Sequence, residues 1–262
     1  PPPRPLPPPP ARPAPAAHRP PRRGHGTHSG RPGPKVTRAA SARRRAPGDN
    51  RDMSGPVQPY PLHGSIEAED AKEILRKAIR THRQARSERL RKEADAAIAD
   101  VVETIPEVAA ATCVATYAAR PGEPGTSAML ERLAARGVRL LLPVLGAGLQ
   151  RDWAVYDGPA DLQVRAPGRP PEPGTPTLGP EAIAEADVVV APALAVDSRG
   201  VRLGQGGGWY DRALEHVRPG TKVVAVVFPE EVYDASDRPL PVEPHDRTVD
   251  AVATPLGWRW LP

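Results

Sequence analysis

The stretch "ADVVVAPALAVDSRGVRLGQGGGWYDRAL", Ala186 to Leu214, carries the strongest indication of the fold. Its first part, Ala186 to Asp197, is a long apolar run typical of a buried strand. Four glycines then fall within the five positions from Gly204 to Gly208, and "YDRALEHVR" follows, with Leu214 and Val217 at helical spacing. A strand, a glycine loop and a helix in this order present free backbone N–H groups and a helix N-terminus to an anion. We therefore expect an anionic ligand, phosphate above all, at this loop.

The glycine run also has a simpler interpretation as a surface turn, because glycine adopts positive φ without strain. The run does not match G-x-G-x-x-G, and no G-K-[ST] follows it. If the loop binds phosphate, the site belongs to another class of nucleotide-binding protein.

The first fifth of the chain differs in composition from the rest. Of the 37 prolines among 262 residues, 15 precede Met53, together with twelve Lys or Arg and two Asp. The local charge is therefore +10, and since the whole chain carries +5, residues 53–262 carry −5. We interpret residues 1–60 as a disordered Pro/Arg-rich tail, translated from upstream of a true start at Met53. A nucleic-acid arm, a membrane-surface tether and a proline-rich docking segment remain as alternatives.

The remaining composition indicates a cytoplasmic protein. The longest apolar run, Val188 to Val196, is too short to span a bilayer. A single cysteine, Cys113, allows no internal disulfide and no cysteine-built metal cluster. Cys113 lies in the alternating apolar stretch "ATCVATYAA", which favours a buried strand residue over a nucleophile.

One or two helices are predicted from Ser65, a candidate N-cap, to Ile105. The predicted apolar face consists of Ala71, Ile74, Leu75, Ala78 and Ile79. Off that face, basic residues recur every three or four positions and form a basic stripe made of Lys72, Arg76, Arg80 and Arg83. Such a stripe is either a solvated face or the wall of an anion site.

Beyond Pro106 the pattern predicts strands alternating with helices. The predicted strands are residues 113–119, 138–145, 187–196 and 222–228, with 153–157 as a shorter edge strand, and the predicted helices are 127–137 and 179–186. This alternation predicts a single α/β domain, residues 65–262, with a mainly parallel sheet covered by helices on both faces. Residues 164–180, "VRAPGRPPEPGTPTLGP", form a long loop that is either a functional lid or an exposed insertion.

Five motifs together resemble the 5-formyltetrahydrofolate cyclo-ligase family. "RLGQGGGWYDR" preceded by "PALAVDSRG" is similar to the family signature. "AKEILRK" resembles its amino-terminal basic helix, "RPGEPGT" its loop with a substrate-binding glutamate, "PPEP" its central loop and "HDRTVDAVATP" its closing segment. The motifs occur in the family order and span residues 71–255.

This resemblance implies an ATP-dependent cyclisation of 5-formyltetrahydrofolate to 5,10-methenyltetrahydrofolate, with release of ADP and phosphate and with Mg²⁺ present. In the mechanism usually proposed for the family, the formyl oxygen attacks the γ-phosphate before nitrogen 10 closes the ring. The protein must then bind the triphosphate, hold Mg²⁺ and align the formyl oxygen with the γ-phosphorus.

Matching the motifs position by position assigns site residues. ATP is expected at Lys72, Arg76, Arg202, Leu203, Gly204, Gln205, Gly206, Gly207, Gly208, Trp209 and Tyr210. The folate is expected at Glu123 and at Gln205, Gly206, Gly207, Gly208 and Trp209. Mg²⁺ is expected at Asp211 and Asp246, and Asp211 and Arg212 are the expected catalytic residues.

Two of these assignments have alternatives in the residues themselves. Asp211 is also a candidate N-cap for a helix beginning near Arg212, and Asp246 alone is typical of a turn. At Trp209 the family commonly has tyrosine, so an indole N–H that only donates replaces a hydroxyl.

Other function classes are less well supported. A relative that binds nucleotide or folate without the ligase reaction is the alternative within the family, but both expected metal carboxylates are present. A nucleic-acid binder would need base-stacking aromatic residues, and residues 1–52 contain no Phe, Tyr or Trp. We expect a monomer acting on small molecules, without a nucleic-acid or membrane partner.

Overall fold

The computed structural model describes residues 66–145 and 151–262. The predicted tail 1–60, the start at Met53 and the N-cap Ser65 lie outside the described residues. Among the described residues, no helix is long and apolar enough to cross a membrane.

The predicted mainly parallel sheet is confirmed. Its seven strands, in the order β10-β9-β7-β4-β1-β2-β3, are parallel from β9 to β2 and antiparallel at both edges. They are β1 Cys113–Ala115, β2 Arg139–Leu145, β3 Arg151–Val155, β4 Val188–Pro192, β7 Lys222–Val226, β9 Ala251–Thr254 and β10 Gly257–Trp260. β3 is at an edge, as predicted, and β1 is shorter than predicted.

Helices cover both faces of this sheet because the strands bury alternate side chains on opposite sides. One face packs against α2 (Glu88–Val102), α3 (Pro106–Ala110) and α4 (Ser127–Ala135). The other face packs against the short 3₁₀ helices Pro180–Glu185 and Leu214–His216 and α5 (Trp209–Ala213). The helix predicted at 179–186 is therefore a 3₁₀ helix, in which Pro180 occupies the first turn.

The strand predicted at 187–196 is wrong in its second half. β4 ends at Pro192, and β5 (Ala195–Asp197) belongs to a separate sheet with β6 (Arg202–Leu203) and β8 (Val232–Tyr233). The backbone N–H of Leu194 donates to the Leu203 carbonyl at 2.8 Å, while the Ala193 carbonyl accepts from Arg83 Nη2 at 2.7 Å. The chain thus leaves the large sheet after β4. The glycine loop, which follows β6, lies next to the first helix.

That first helix, α1 (Ala68–Gln84), packs on the three-stranded sheet. α1 and α2 are separate helices, and the Ser87 hydroxyl accepts from the Leu90 N–H at the start of α2. Leu75 and Ile79 are fully buried, whereas Ile74, predicted on the apolar face, is 46% exposed. Fewer apolar residues of α1 are therefore buried than the sequence pattern predicted.

Candidate active site

A cleft of about 650 Å³ opens at the carboxyl ends of the parallel strands. Tyr117, Leu145 and Pro192 line it at or just beyond the ends of β1, β2 and β4. This is the edge of an α/β sheet at which ligands bind. The glycine loop, α1 and the closing segment complete the walls.

The structure brings every site residue assigned from the sequence to this one cleft. These residues are Lys72, Arg76, Glu123, Arg202, Leu203, Gly204, Gln205, Gly206, Gly207, Gly208, Trp209, Tyr210, Asp211, Arg212 and Asp246. They come from four separate stretches of the chain, so their convergence is a property of the fold and not of sequence proximity.

The backbone of the glycine loop is open to the cleft. No described residue accepts a hydrogen bond from the backbone N–H groups of Gly206, Gly207 or Gly208. A Cβ on Gly207 would meet no heavy atom of the described residues within 4 Å. Unpaired N–H groups on an open backbone are what an anionic ligand needs.

The other glycines make room for arginines. A Cβ on Gly204 would lie 2.9 Å from Arg202 Nη1, and one on Gly206 would lie 3.4 Å from Arg76 Cζ. Gly206 also has a φ of +101°, which favours glycine. The glycine run therefore brings guanidinium groups close to the loop as well as leaving space for a ligand.

The helix after the loop is too short for part of its predicted role. α5 has five residues, and its N-cap is Gly208, so Asp211 lies inside the first turn. The interpretation of Asp211 as an N-cap is wrong. The positive end of so short a helix can contribute little to the binding of an anion. The loop N–H groups are the stronger candidates for such contacts.

Asp211 is instead the partner of a buried arginine. Its Oδ1 accepts from Arg202 Nη2 at 2.6 Å and from the Arg247 N–H at 3.2 Å. The Arg202 side chain is 2% exposed and that of Asp211 is 14% exposed. No described residue donates to Asp211 Oδ2, which leaves one carboxylate oxygen for another ligand.

The basic stripe of α1 is not a solvated face. Lys72 and Arg76 are buried and line the cleft. Arg76 Nε donates to the Gly204 carbonyl at 3.2 Å, and Arg80 Nη2 donates to the Gln205 carbonyl at 2.8 Å. Arg76 and Arg80 therefore hold the glycine loop through its backbone carbonyl groups.

Lys72 bridges α1 to the closing segment. Its Nζ donates to Glu243 Oε2 at 2.6 Å and to both oxygens of Asp246 at 2.9 and 2.7 Å. Burial alone would lower the pKa of Lys72, but the hydrogen bonds and charges of these two carboxylates outweigh it and raise the pKa. Lys72 is thus positively charged at neutral pH.

Asp246 belongs to an acidic cluster that the sequence reasoning did not assemble. Ligand atoms of Glu243, His245 and Asp246 all lie within 4.8 Å of one another. With Lys72 included, the cluster has two negative charges and one positive charge when His245 is neutral. The interpretation of Asp246 as a turn residue thus omits Lys72 and the other members of this cluster. Their proximity depends on the tertiary fold.

Glu123 is held in place by its own loop. Its side chain is 6% exposed, and its Oε1 accepts from Arg120 Nη2 at 3.1 Å and from Gln205 Nε2 at 3.0 Å. Its Oε2 accepts from the Arg120 N–H at 3.0 Å. Gln205 thus connects Glu123 directly to the glycine loop.

Trp209 packs in an aromatic cluster at the base of the cleft. Its ring centroid lies 5.0 Å from that of Trp153 and 4.9 Å from that of Tyr210, both edge-on. Its buried Nε1 has no hydrogen-bond partner among the described residues. Burial, with the charge of Glu123, raises the pKa of Tyr210, so its phenol is neutral. The indole N–H of Trp209, at the position where the family commonly has a hydroxyl, is thus buried and unsatisfied by the described residues.

The long loop 164–180 packs against the cleft. Pro170 and Pro171 line it, and the fully buried Glu172 accepts from the Leu145 N–H at 3.2 Å. The interpretation of this loop as an exposed insertion is wrong for its centre, "PPEP". The loop forms part of the wall.

Cys113 lies in β1, as predicted, and burial raises the pKa of its thiol. It is not among the residues that line the cleft. Sequence reasoning missed other lining residues, namely Glu69, Tyr117, Ala118, Arg120, Pro143, Leu145, Pro192, Glu215, Glu243 and His245. Several of these follow strand ends, which is the signal that could have identified them.

The fold and the cleft together define an α/β protein with an open glycine loop at the carboxyl edge of its parallel strands. Comparison with known proteins identifies the family. The model of the 5-formyltetrahydrofolate cyclo-ligase family matches residues 68–255, and the chain belongs to that family. The chain is therefore an enzyme of the ligase class.

Individual relatives agree with this. The chain is 43% identical over 147 residues to the 5-formyltetrahydrofolate cyclo-ligase of Mycolicibacterium smegmatis, a match that covers 54% of this chain and 73% of the relative. It is 31% identical over 187 residues to the Escherichia coli K12 protein of the same name, covering 70% of this chain and 100% of that protein.

Solved structures show the same fold. A 5,10-methenyltetrahydrofolate synthetase from Aquifex aeolicus superposes with a TM-score of 0.61 at 29% identity, covering 72% of this chain and 92% of that one. The synthetase from Mycoplasma pneumoniae superposes with a TM-score of 0.54 at 20% identity, covering 70% of this chain and 98% of that one. The second likeness concerns the fold alone.

Proposed function

We propose that the enzyme couples ATP cleavage to the cyclisation of 5-formyltetrahydrofolate, giving 5,10-methenyltetrahydrofolate, ADP and phosphate. The formyl oxygen attacks the γ-phosphorus, and the bond from that phosphorus to the leaving ADP oxygen breaks. Nitrogen 10 then attacks the formyl carbon and loses its proton to solvent, while the phosphorylated oxygen leaves as inorganic phosphate. We expect a monomeric, cytoplasmic enzyme that acts on small molecules.

The observation that carries this proposal is the open backbone of the glycine loop beside buried cations. Unpaired N–H groups from Gly206 to Gly208 face a cleft into which Lys72, Arg76 and Arg202 also project. Backbone N–H groups and fixed cations bind a triphosphate without further reorganisation. Leu203 and Tyr210 continue the same wall as part of the nucleotide site.

Arg212 is proposed to stabilise charge on the transferring phosphoryl group. Its Nη2 donates to the Gly207 carbonyl at 2.8 Å, which keeps the guanidinium beside the loop. A cation in that position interacts with phosphoryl oxygens as charge redistributes in the transition state.

The folate is proposed to bind between Glu123 and the loop from Gln205 to Trp209. Arg120 and Gln205 orient the Glu123 carboxylate, whose remaining lone pairs can accept from the pterin's donors. Trp209 lines the same wall, and its ring can pack against the substrate. These contacts hold the formyl group near the loop that binds the phosphates.

The residues fit a magnesium ion. Asp246 and Glu243 are close together, and Asp211 has an oxygen that no described residue occupies. Mg²⁺ requires few protein carboxylates because it keeps waters and phosphate oxygens as ligands. When bound, the ion would neutralise charge on the phosphates. Lys72 forms ion pairs with Glu243 and Asp246, and its positive charge partly balances the negative charge of the acidic cluster.

Incubation of the full-length protein with ATP, Mg²⁺ and 5-formyltetrahydrofolate tests the proposal. We expect near-ultraviolet absorbance of the methenyl product to rise with equal amounts of ADP and phosphate. Binding of both substrates without product would instead favour an inactive relative. Omission of ATP is the matched control and should abolish product formation.

A further inference from the structure

The loop that carries Glu123 is joined to helix α2 by one aspartate. Asp95 lies in the middle of α2, and its Oδ1 accepts from the backbone N–H of Gly125 at 2.7 Å. Asp95 is not among the residues that line the cleft. Any effect of Asp95 on the site must therefore pass through this loop.

The contact with Gly125 is the main polar interaction of Asp95. Its side chain is half-buried, and burial raises the pKa of its carboxyl, while the hydrogen bond from Gly125 opposes that rise. Aspartate is also a poor residue for the interior of a helix. The carboxylate thus contributes little to α2 itself, and its hydrogen bond acts on the loop.

Gly125 leaves the space that this contact requires. A Cβ on Gly125 would overlap Asp95, because the three nearest heavy atoms of the described residues all belong to the Asp95 carboxylate. The backbone itself does not require glycine here, since the φ of Gly125 lies outside the left-handed region. The close approach of Asp95 is therefore what excludes a side chain at Gly125.

The segment from Glu123 to Gly125 is stiff. Its middle residue, the buried Pro124, has a fixed φ and restricts the backbone of the residue before it. The loop is also closed on itself, because Tyr117 Oη donates to the Pro124 carbonyl at 3.3 Å and Thr126 Oγ1 donates to the Tyr117 carbonyl at 2.9 Å. A shift of Gly125 therefore moves Glu123 as well.

Helix α2 gives the loop a fixed reference. Ile98, Ala99 and Val102 of α2 are fully buried in the same hydrophobic cluster as the side chains of α4 and of the large sheet. On the cleft side, Glu123 Oε1 accepts from Gln205 Nε2 of the glycine loop at 3.0 Å. The loop is thus held between the packed helix and the glycine loop.

We propose that Asp95 is a positioning residue for the folate, which rests on the proposed function of the cleft. By holding Gly125, Asp95 fixes the Glu123 carboxylate relative to the glycine loop. Displacement of such a group by about 1 Å is enough to weaken binding and alignment of a substrate. Asp95 contacts neither substrate and acts only through Glu123.

Asp95→Ala tests this through the two Michaelis constants. The constant for 5-formyltetrahydrofolate should rise about threefold, the loss of one hydrogen bond, and the constant for ATP should not change. Asp95→Asn should restore the folate constant, because its amide oxygen can accept from the Gly125 N–H. Asp100→Ala is the matched control, since Asp100 is 68% exposed on the same helix. An unchanged folate constant in Asp95→Ala, or equal rises in both constants, would overturn the proposal.

A double variant separates positioning from a general loss of structure. Gly125→Ala alone should raise the folate constant, because its methyl group displaces the Asp95 carboxylate. With Asp95→Ala in the same chain, the methyl group occupies the vacated space, so the folate constant should equal that of Asp95→Ala alone. If the two effects multiply instead, the residues act separately and the proposal is wrong.

A Glu123→Ala background tests whether Asp95 acts through Glu123. In that background Asp95→Ala should cause no further rise in the folate constant, and a further threefold rise would refute the proposal. Absence of product from the unaltered protein, or an unchanged folate constant in Glu123→Ala itself, would instead contradict the proposed function. The two failures are therefore distinguishable.

Discussion

The two aspartates expected to bind metal lie in regions that differ in net charge. In the glycine-loop region, Asp211 faces the buried Arg202, and the pair is neutral. In the closing segment, Asp246 and Glu243 share Lys72, so one negative charge remains uncompensated when His245 is neutral. A divalent cation gains most where negative charge is in excess. We therefore expect a magnesium ion to be attracted more strongly by the closing segment than by the loop region, where Arg202 already balances Asp211.

Among the point substitutions, the largest effect is expected for Asp246→Asn, which removes the excess charge. We predict a turnover rate reduced about a hundredfold or more, as for the loss of other charge-stabilising groups at a reacting centre, and a raised Mg²⁺ requirement. Stability should change little, since Lys72 and Glu243 remain a balanced pair. Steady-state rates over a magnesium titration measure this, with Asp237→Asn, 74% exposed, as the control. A normal rate at low magnesium would show that the closing segment does not bind the ion.

The effect of Asp211→Asn on the stability of the protein should distinguish the two regions. It leaves the buried Arg202 without its carboxylate, so we predict a loss of about 2 kcal/mol in the free energy of unfolding. The rate should fall about tenfold, with a smaller rise in magnesium requirement than for Asp246→Asn. Chemical denaturation and a magnesium titration of both variants give the comparison. Unchanged stability would contradict the assignment of Asp211 as the partner that Arg202 requires.

Glu123→Gln alters a carboxylate whose oxygens accept from Arg120 and Gln205. The amide keeps one acceptor and turns its NH₂ toward donors, so the Michaelis constant for the folate should rise about fivefold. The constant for ATP should change less, because Glu123 contacts the glycine loop through the Gln205 side chain and not through the backbone N–H groups proposed to bind phosphate. Glu131→Gln, at an exposed site on α4, is the control. A raised constant for ATP alone would show that Glu123 serves the nucleotide.

Gly207→Ala tests the backbone of the loop region without adding strain. The added methyl group meets no described atom, so stability should hold. The Michaelis constant for ATP should rise about threefold, because the methyl group obstructs the approach of a phosphate to the loop N–H groups and weakens their hydrogen bonds. Gly208→Ala is the matched comparison, because its φ of +57° disfavours a side chain. Gly208→Ala should lower the melting temperature. Unchanged ATP binding in Gly207→Ala would mean that phosphate does not approach this backbone.

The smallest effect is expected outside both regions. Removal of residues 1–52 should leave turnover unchanged, because both aspartates and the described residues that line the cleft all lie later in the chain. Removal of residues 1–79 should abolish activity, since Lys72 and Arg76 are lost with it. Assay of both shortened proteins against the full chain measures this, and a large loss of turnover in the first would show that the tail contributes to the reaction.

The parts of the fold that depend on local pattern could be predicted from the sequence. The run "KVVAVVF", residues 222–228, predicted a strand, and β7 (Lys222–Val226) forms there and pairs in parallel with β4. Gly137, the last residue of the predicted helix 127–137, follows the end of α4 with a φ of +81°. The break after Pro192 could not be predicted, because both halves of that run are apolar. What separates them is pairing with Leu203 and a hydrogen bond from Arg83, which come from distant parts of the chain.

The same distinction applies to the site. The residues that the resemblance assigned all line the cleft, but their partners depend on tertiary contacts. Arg202 lies nine residues from Asp211, and no helical or strand spacing in the sequence predicts their ion pair. Lys72 and Asp246 are separated by 174 positions. The electrostatic difference between the two regions is therefore visible only in the folded chain.

The formyl oxygen is proposed to attack the phosphate at the glycine loop, and an oxygen label distinguishes this attack from loss of the formyl oxygen to water. 5-Formyltetrahydrofolate with ¹⁸O in the formyl group is converted with unlabelled ATP in ordinary water, and the released phosphate is examined by mass spectrometry. The account predicts one ¹⁸O atom in each phosphate released. Unlabelled phosphate, with the ¹⁸O recovered in water, would contradict it.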